Sequence, residues 1–126
     1  MSGPLQEIRI LDISTLIAAP LAGTLLADYG AEVVKVELTD LGDGLRSFPP
    51  FKDGRSLWWK VANRNKRLVS LDLRKEEGVE LFLGMLPKFD VLLENFRPGT
   101  LERWGLSKER LWAVNPNLVI LRATAF

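Results

Sequence analysis

The sequence predicts an α/β fold with a doubly wound, mainly parallel sheet. Short runs rich in β-branched residues recur along the chain, and segments with the apolar spacing of helices lie between them. No internal repeat or low-complexity segment interrupts this alternation. Strands that alternate with helices form crossover units, in which the strands lie parallel and the helices cover the sheet. The 126 residues, 47% of them hydrophobic, suffice for one such domain and are too few for two, so we expect a single unit over 1–126.

The first two strands and the helix between them form the clearest part of the pattern. Residues 8–13 (IRILDI) are a β-branched run, and Pro20 suits the first turn of the helix that follows. We expect this helix to end at Tyr29 or Gly30, because glycine takes a positive φ without strain. Residues 33–37 (VVKVE) then favour a second strand, which completes a right-handed β-α-β unit.

The segment 38–55 interrupts the alternation. It contains three glycines and the Pro49-Pro50 pair but few periodic apolar positions. A loop of this length inside a compact domain is usually functional or disordered. The sequence therefore predicts a mobile loop with few packing contacts.

The rest of the chain resumes the alternation. Apolar residues at i, i+3, i+4 and i+7 predict a helix over 75–86, which Pro87 ends. Ser56 and Ser107 are suited to cap shorter helices. In chain order, the remaining segments are a short helix at 56–62, a strand at 67–73 with Leu68 out of phase, a strand at 90–94, short helical segments within 101–114 and a strand at 118–124.

Composition excludes several classes of function. Seventeen Lys and Arg against sixteen Asp and Glu give a formal charge of +1, so no global field attracts nucleic acid or an anionic membrane, and any anion site must be local. The chain has no cysteine and no histidine, which excludes thiol chemistry and any His-dependent triad within it, and we expect no metal site. No secretory leader or long apolar run is visible, so a cytoplasmic protein without membrane contact is expected.

Glu37 is the first candidate binding residue. It ends the second strand of a β-α-β unit, where a dinucleotide-binding domain places the carboxylate that holds a ribose hydroxyl. The phosphate half of that signature is missing, because no glycine lies between Leu5 and Ala22. The alternative is a solvated strand-end carboxylate paired with Lys35 or with a loop arginine.

The run 63–67 (NRNKR) is the densest cluster of cations. It could follow a nucleic-acid backbone with Trp58 and Trp59 as stacking partners, form a charged strand entrance, or bind one small phosphorylated ligand. The tryptophan pair is better suited to packing than to base stacking. These alternatives remain open at this point.

A third candidate site follows the fourth strand. Residues 94–99 (ENFRPG) combine an amide, an aromatic ring and a guanidinium at a strand end, which together can hold an apolar, phosphorylated ligand.

Nearly the whole chain resembles the class III CoA-transferases, which include formyl-CoA transferase, carnitine CoA-transferase and the α-methylacyl-CoA racemases. The resembling stretches, in family order, are ILDIS, IAAPLAGTLLADYGAEVVKVE, GDGLR, NRNKRLVSLDL, EEGVELFLGML, DVLLENFRPGTLERWGL and NPNLVIL.

The resemblance implies a Rossmann-like large domain, interlocked ring-shaped subunits in a homo- or heterodimer, and acyl-CoA at the strand ends, with a carboxylic acid as second substrate. It implies that Ile17 and Ala18 border the thioester, that Leu38 lies beside the adenine and that Arg103 meets a CoA phosphate. It further implies a CoA channel lined by Leu71, Asp72, Leu73, Arg74, Asn95, Phe96 and Arg97.

Departures from the family pattern bear on the reaction. Ile17 stands where formyl-CoA transferase has glutamine, and Leu38 where it has an arginine beside the adenine. Ile17 therefore favours a larger, more apolar acyl group, and Phe48 lies where relatives line the acyl pocket.

The catalytic residue is expected outside the chain. The family's nucleophilic aspartate lies in a Gly-Asp segment beyond residue 126, so no catalytic residue is assigned here and Asp43 is interpreted as loop structure. The racemase histidine also lies beyond that point, so an α-methylacyl-CoA racemase-like isomerase remains an alternative. The other alternative is a non-catalytic nucleotide- or partner-binding domain.

Overall fold

A computed structural model describes residues 2–125. In this part of the chain, two 3₁₀ turns accompany the helices and strands, at Gly44–Ser47 and Leu86–Lys88. The helices and strands are, in chain order, β1 (Arg9–Asp12), α1 (Ala18–Asp28), β2 (Glu32–Glu37), β3 (Phe51–Lys52), β4 (Arg55–Ser56), α2 (Leu57–Ala62), β5 (Lys66–Ser70), α3 (Glu76–Met85), β6 (Val91–Glu94), α4 (Thr100–Arg103), α5 (Lys108–Val114) and β7 (Val119–Arg122).

Within residues 2–125, the central sheet has five parallel strands in the order β5-β2-β1-β6-β7. Its middle strand is β1, in which Leu11 lies opposite Val34 on one side and Leu92 on the other. The predicted α/β class is therefore confirmed. The order of the strands reverses between β1 and β6, and ligands of such sheets bind outside the carboxyl ends of the strands at that point.

One face of the sheet carries an apolar core. Leu11, Val34 and Leu92 point to this side, and α3 covers them with Phe82, which is fully buried. A buried Leu111 adds α5 to the same cluster. Alternate residues of a strand point to opposite faces, and because both faces of this sheet are covered, β1 and β2 are buried along most of their length.

The other face is covered by α1, and small residues make the close approach possible. Ala19, Gly23 and Ala27 recur every four residues and lie on the buried side of the helix. A Cβ on Gly23 would come within 3.1 Å of Leu93 Cδ1 and 3.4 Å of Lys66 Nζ. The position therefore has little room for a larger side chain.

The end of α1 occurs where the sequence predicts it. Gly30 has φ +104°, and its N–H donates to Ala27 O at 2.9 Å while Ala31 N–H donates to Leu26 O at 3.1 Å. This pair of bonds is the Schellman motif that glycine favours. The caps at Ser56 and Ser107 are also confirmed, because their hydroxyls accept from Trp59 N and Arg110 N.

The segment 38–55 differs from the prediction. It contains a 3₁₀ turn and the hairpin of β3 and β4, and both Asp43 and Leu45 are buried. The expectation of few packing contacts is wrong for the middle of the segment, because Asp43 caps the turn by accepting from Leu45 N at 2.9 Å. Mobility of the rest of the segment stays a prediction.

Strand ends are less regular than the pattern suggests. The strand predicted at 67–73 occupies Lys66–Ser70, and the one predicted at 118–124 occupies Val119–Arg122. Within residues 2–125, no helix has the length and apolar character needed to cross a membrane.

Candidate functional site

The candidate site is a cleft at the carboxyl ends of β1, β2 and β5. Four residues predicted to contact CoA meet in it, namely Leu38, Leu71, Leu73 and Phe96. The cleft offers about 20 Å³, room for about one water molecule, so it is a narrow floor rather than a complete ligand pocket. Its other lining residues are Ile13, Ser14, Thr15, Val36, Glu37, Gly42 and Asp43.

The β1–α1 loop (residues 13–17) forms one wall of this cleft, and buried side chains hold its backbone. Asp12 Oδ1 accepts from Ser14 N at 2.9 Å, and Lys35 Nζ donates to Ser14 O at 2.7 Å. Asp43 Oδ1 accepts from Leu16 N at 3.0 Å. Three side chains from three parts of the chain therefore fix the loop on either side of Thr15.

Asn95 holds the middle of the same loop. Its Oδ1 accepts from Thr15 N at 2.8 Å, and its Nδ2 donates to Thr15 O at 2.7 Å. Five successive backbone groups, from Ser14 N to Leu16 N, are thus bonded to side chains. The loop crosses the point where the strand order reverses, so its conformation determines the shape of the crevice.

The loop presents Ile17 and Ala18 at the start of α1, and both are exposed. Leu16, just before them, has φ +66°, a conformation uncommon for a residue with a side chain. Ile17 is the N-cap of α1, which has neither a side-chain cap nor an acid in its first turn. The residues that the resemblance places at the thioester are therefore accessible.

A cluster of four buried charged side chains lies beneath the loop, between the sheet and α1. Lys66 Nζ is 2.7 Å from Asp12 Oδ2, and Lys35 Nζ is 3.0 Å from Asp43 Oδ2. The lysine side chains are 0% exposed. We call Asp12, Lys35, Asp43 and Lys66 the ion cluster; its formal charges cancel.

The two ion pairs of the cluster differ in quality. Lys66 Nζ also donates to Pro20 O at 2.6 Å and to Asn63 Oδ1 at 3.1 Å, so its hydrogen-bonding capacity is filled. Burial lowers the pKa of Lys66, although the Asp12 carboxylate acts in the opposite direction. In contrast, Asp43 Oδ2 is close to Lys35 Nζ but accepts no well-directed hydrogen bond from the described residues.

Glu37 forms a second charged element at the edge of the cleft. Arg46 donates to it from Nε and Nη2, both at 2.8 Å, and Asp43 N donates at 2.9 Å. The guanidinium lies 3.8 Å above the ring of Trp59. Burial acts to raise the pKa of Glu37, but the hydrogen bonds from Arg46 and Asp43 N outweigh it, so the pKa lies below its usual value.

These contacts decide between the alternatives for Glu37. Pairing with a loop arginine is confirmed, whereas the expectation of a solvated carboxylate is wrong, because Glu37 is buried. Both of its carboxylate oxygens are occupied by Arg46. A ribose hydroxyl would have to compete with a bidentate ion pair, so the geometry does not favour the dinucleotide interpretation.

Asp72 and Arg74 of the predicted channel are bonded to each other. Arg74 Nε donates to Asp72 Oδ1 at 2.8 Å, and Arg74 Nη2 reaches Asp40 Oδ1 at 2.9 Å. The hydrogen bond from Arg74 lowers the pKa of Asp72 to about 2. A ligand phosphate at Arg74 would have to share its guanidinium with two carboxylates.

The segment after β6 separates the other predicted residues. Phe96 lines the cleft and packs edge-on against Trp104, with ring centroids 5.1 Å apart. Arg97 lines a neighbouring hollow of about 70 Å³, and Arg103 lies on the exposed side of α4, where its Nη2 donates to Thr100 Oγ1 at 3.2 Å. Arg103 does not line the cleft.

The basic run is engaged in ion pairs. Arg64 contacts Asp28 at 2.5 Å, and Arg67 contacts Glu32 at 2.8 Å. The third cation, Lys66, belongs to the ion cluster. The interpretation as a charged strand entrance is thereby favoured over a nucleic-acid groove, because each cation already has an acidic partner.

Sequence reasoning missed the ion cluster. Lys35 interrupts the β-branched run of β2 at an inward-facing position, and Asp12 does the same in β1. A buried parallel strand is usually apolar throughout, so a charge at such a position indicates a buried partner. That signal was available for Lys35 and Asp12, whereas nothing local indicates that Asn95 bonds Thr15.

Comparisons with known proteins bear on the cleft. The sequence model of CoA-transferase family III matches residues 5–126. The chain is similar to succinyl-CoA–D-citramalate CoA-transferase of Chloroflexus aurantiacus, with 48% identity over 124 residues that cover 98% of this chain and 31% of the relative. It is equally similar to the beta subunit of succinyl-CoA–L-malate CoA-transferase from that organism, again 48% identical over 98% of this chain and 31% of the relative.

A solved structure supports the same relationship. The hypothetical protein Rv3272 of Mycobacterium tuberculosis superposes with a TM-score of 0.90 and 39% identity, covering 99% of this chain and 34% of that one. The chain spans about a third of the length of the curated relatives it matches.

Proposed function

The chain belongs to CoA-transferase family III, and we propose that it forms the N-terminal part of an enzyme that moves CoA from an acyl-CoA to a carboxylic acid. The observation that carries this proposal is the cleft at the strand ends, where four of the residues implied by the resemblance line one floor. Crevices at this position of a parallel sheet are the usual ligand sites of the fold.

The described residues can bind and orient the substrate. Ile17 and Ala18, exposed at the start of α1, would border the thioester, and Leu38, Leu71 and Phe96 would contact the nucleotide arm of CoA. The exposed cations Arg97 and Arg103 are suited to its phosphates as charge-assisted donors. The cleft is small, which agrees with a CoA channel whose other walls are formed by residues outside this chain.

The chemical step is proposed to depend on a nucleophile beyond residue 126. Asp43 is a poor candidate, because its Oδ1 accepts from two backbone amides and its carboxylate is buried beside Lys35. The chain would then supply binding and geometry, and a complete subunit would supply the reacting carboxylate.

The similar transferases suggest a substrate class. The names of the two relatives from Chloroflexus aurantiacus specify succinyl-CoA with D-citramalate or L-malate, and both acceptors are dicarboxylic acids. We propose a dicarboxylic acid as the first acceptor to test. The expectation of a more apolar acyl group, which rests on Ile17, stays a prediction. A thioester-exchange assay that compares acyl-CoA donors would test it.

Assembly is proposed on similar grounds. One relative is named as a beta subunit, which supports an assembly of more than one chain. An interlocked dimer and a cytoplasmic location stay predictions. The racemase alternative receives no support from the relatives described above, which are named as transferases.

Calorimetric titration of CoA into a complete subunit that contains this chain tests the proposal. Arg103→Ala should weaken CoA binding about ten- to a hundredfold, because one charge-assisted bond to a phosphate contributes about 1.5–3 kcal/mol. If Arg103 contacts the 3′-phosphate, the same substitution should weaken the binding of dephospho-CoA less than the binding of CoA. Arg110→Ala is the matched control, since Arg110 is also exposed but bonds Glu80 and Gly105 O.

The outcomes separate the alternatives. Equal CoA affinities of wild type and Arg103→Ala would remove Arg103 from the site. Absence of both CoA binding and thioester exchange in the complete subunit would contradict the proposed function. Thioester exchange by the 126-residue chain alone would refute the claim that its nucleophile lies elsewhere.

A further inference from the structure

We propose that Asn95, Lys35 and Asp43 are positioning residues that preset the β1–α1 loop for the acyl end of the substrate, an inference that rests on the proposed function. None of the three needs to touch the reacting atoms. Each acts through the backbone of the loop that presents Ile17 and Ala18.

The argument begins with the bonding pattern of the loop. Loop backbone groups usually bond to water or to other backbone groups. Here Ser14 O, Thr15 N, Thr15 O and Leu16 N are instead bonded to Lys35, Asn95 and Asp43. Donors and acceptors alternate along this stretch, and each meets a side-chain group of the complementary kind.

The anchors themselves are fixed. Lys35 lies within β2, and Asn95 directly follows β6. Asp43 is held because its N–H donates to Glu37 Oε2 at 2.9 Å, while Glu37 is clamped by Arg46. The loop therefore takes its position from the two strands beside β1 and from the turn after β2.

The loop stores strain that these bonds offset. Leu16 has φ +66°, a backbone conformation that is strained for a residue with a side chain. The bond from its N–H to Asp43 Oδ1 holds this conformation. Leu16 directly precedes Ile17, so its backbone angle sets the direction in which α1 and its exposed first residues begin.

A preorganised loop matters for the reaction, because displacement of a reacting group by about 1 Å can lower a rate about 100-fold. A displaced loop should affect the acyl end of CoA far more than its nucleotide end. This difference distinguishes positioning from general destabilisation.

The test uses Asn95→Ala and Asn95→Asp in a complete subunit. The aspartate keeps the acceptor for Thr15 N but loses the donor to Thr15 O, so it should give a smaller defect. We expect Asn95→Ala to lower kcat for thioester exchange about 10- to 100-fold. The affinity for adenosine 3′,5′-bisphosphate, the nucleotide end of CoA, should change less than twofold.

Asn115→Ala is the matched control. Asn115 Nδ2 donates to two backbone carbonyls, Leu86 O at 3.0 Å and Phe89 O at 2.7 Å, at the opposite end of the sheet. Its removal should lower stability while leaving kcat unchanged. Equal loss of kcat in Asn95→Ala and Asn115→Ala would overturn the proposal, as would an unchanged kcat in both Asn95 variants.

A second measurement does not depend on activity. Hydrogen exchange of the Leu16 amide, which is bonded to Asp43 and not to Asn95, should accelerate at least tenfold in the Asn95→Asp variant if the loop is held as a unit. An unchanged rate would overturn the proposal even if the enzyme is active. A wild-type subunit with a protected Leu16 amide but no thioester exchange would contradict the proposed function, and with it the role of the loop in catalysis.

Discussion

The two faces of the central sheet are packed by different kinds of interaction. Beneath α3 and α5 the middle of the sheet presents hydrocarbon side chains such as Leu11, Val34 and Leu92. Beneath α1, neighbouring strands place Asp12, Lys35 and Lys66 with their side chains fully buried. Apolar packing is non-directional, whereas ion pairs and hydrogen bonds require defined angles. The comparison indicates that the apolar face supplies stability and the charged face supplies the geometry of the loop above it.

The largest expected effect concerns the apolar face. Phe82→Ala should lower the free energy of unfolding by about 3–5 kcal/mol, because Phe82 is fully buried and its removal leaves a cavity. Urea unfolding would measure it. Leu81→Ala, one residue away but 62% exposed, is the control and should change stability by less than about 1 kcal/mol. Phe82→Ala should leave hydrogen exchange of the Leu16 amide unchanged. Faster exchange of this amide in a chain that remains folded would contradict the proposal that the two faces have separate roles.

A slightly smaller effect is expected on the charged face. Lys35→Met should lower the free energy of unfolding by about 3 kcal/mol, because it leaves the buried Asp43 carboxylate without its counter-charge. Unlike Phe82→Ala, it should also accelerate hydrogen exchange at Leu16, since Asp43 Oδ1 accepts from that amide. A Lys35→Met variant as stable as wild type, with Leu16 still protected, would show that the loop does not depend on the ion cluster.

The smallest predicted effect is the loss of the Glu37–Arg46 pair, and it depends on pH. The pKa of Glu37 in the folded chain lies below its usual value of 4.5, so the folded state favours the charged form. Its stabilisation is present above about pH 4.5 and is lost as the pH falls through the lowered pKa. Glu37→Gln should cost about 1.5 kcal/mol at pH 7, since Arg46 is half-exposed, and much less at pH 3.

Urea unfolding of wild type and Glu37→Gln at the two pH values would check this prediction. Arg67→Ala provides a control, because the pair of Arg67 with Glu32 is exposed on both sides and should contribute little. An equal difference between wild type and Glu37→Gln at pH 7 and pH 3 would contradict the assigned role of the charge.

The apolar face could be predicted from the sequence, whereas most of the charged face could not. The spacing of apolar residues predicts which side chains are buried, because the period of a helix or a strand determines which side chains share a face. Val79 and Phe82 in α3 are examples of this spacing. Gly30 was equally predictable, since its positive φ is a local property.

Interactions between distant segments left little local signal. Thr15 and Asn95 are bonded although 80 residues apart, and no spacing rule links them. The segment 38–55 was predicted as a loop from its glycines and prolines, but its burial depends on Glu37, Arg46 and Trp59 meeting in space. Leu38, Leu71 and Phe96, which the resemblance assigns to the CoA site, line one cleft. The positions of Arg97 and Arg103 relative to a bound CoA stay predictions.

The sequence distance between Thr15 and Asn95 also has a consequence for the biogenesis of the chain. Translation at about 5–20 residues per second separates the synthesis of these two residues by about 4–16 s. During that interval β1 can pair with β2 but not with β6, and the two bonds that hold Thr15 cannot form. The nascent polypeptide therefore carries an unanchored loop at the future crevice until the fourth strand of the parallel sheet has been made and docked.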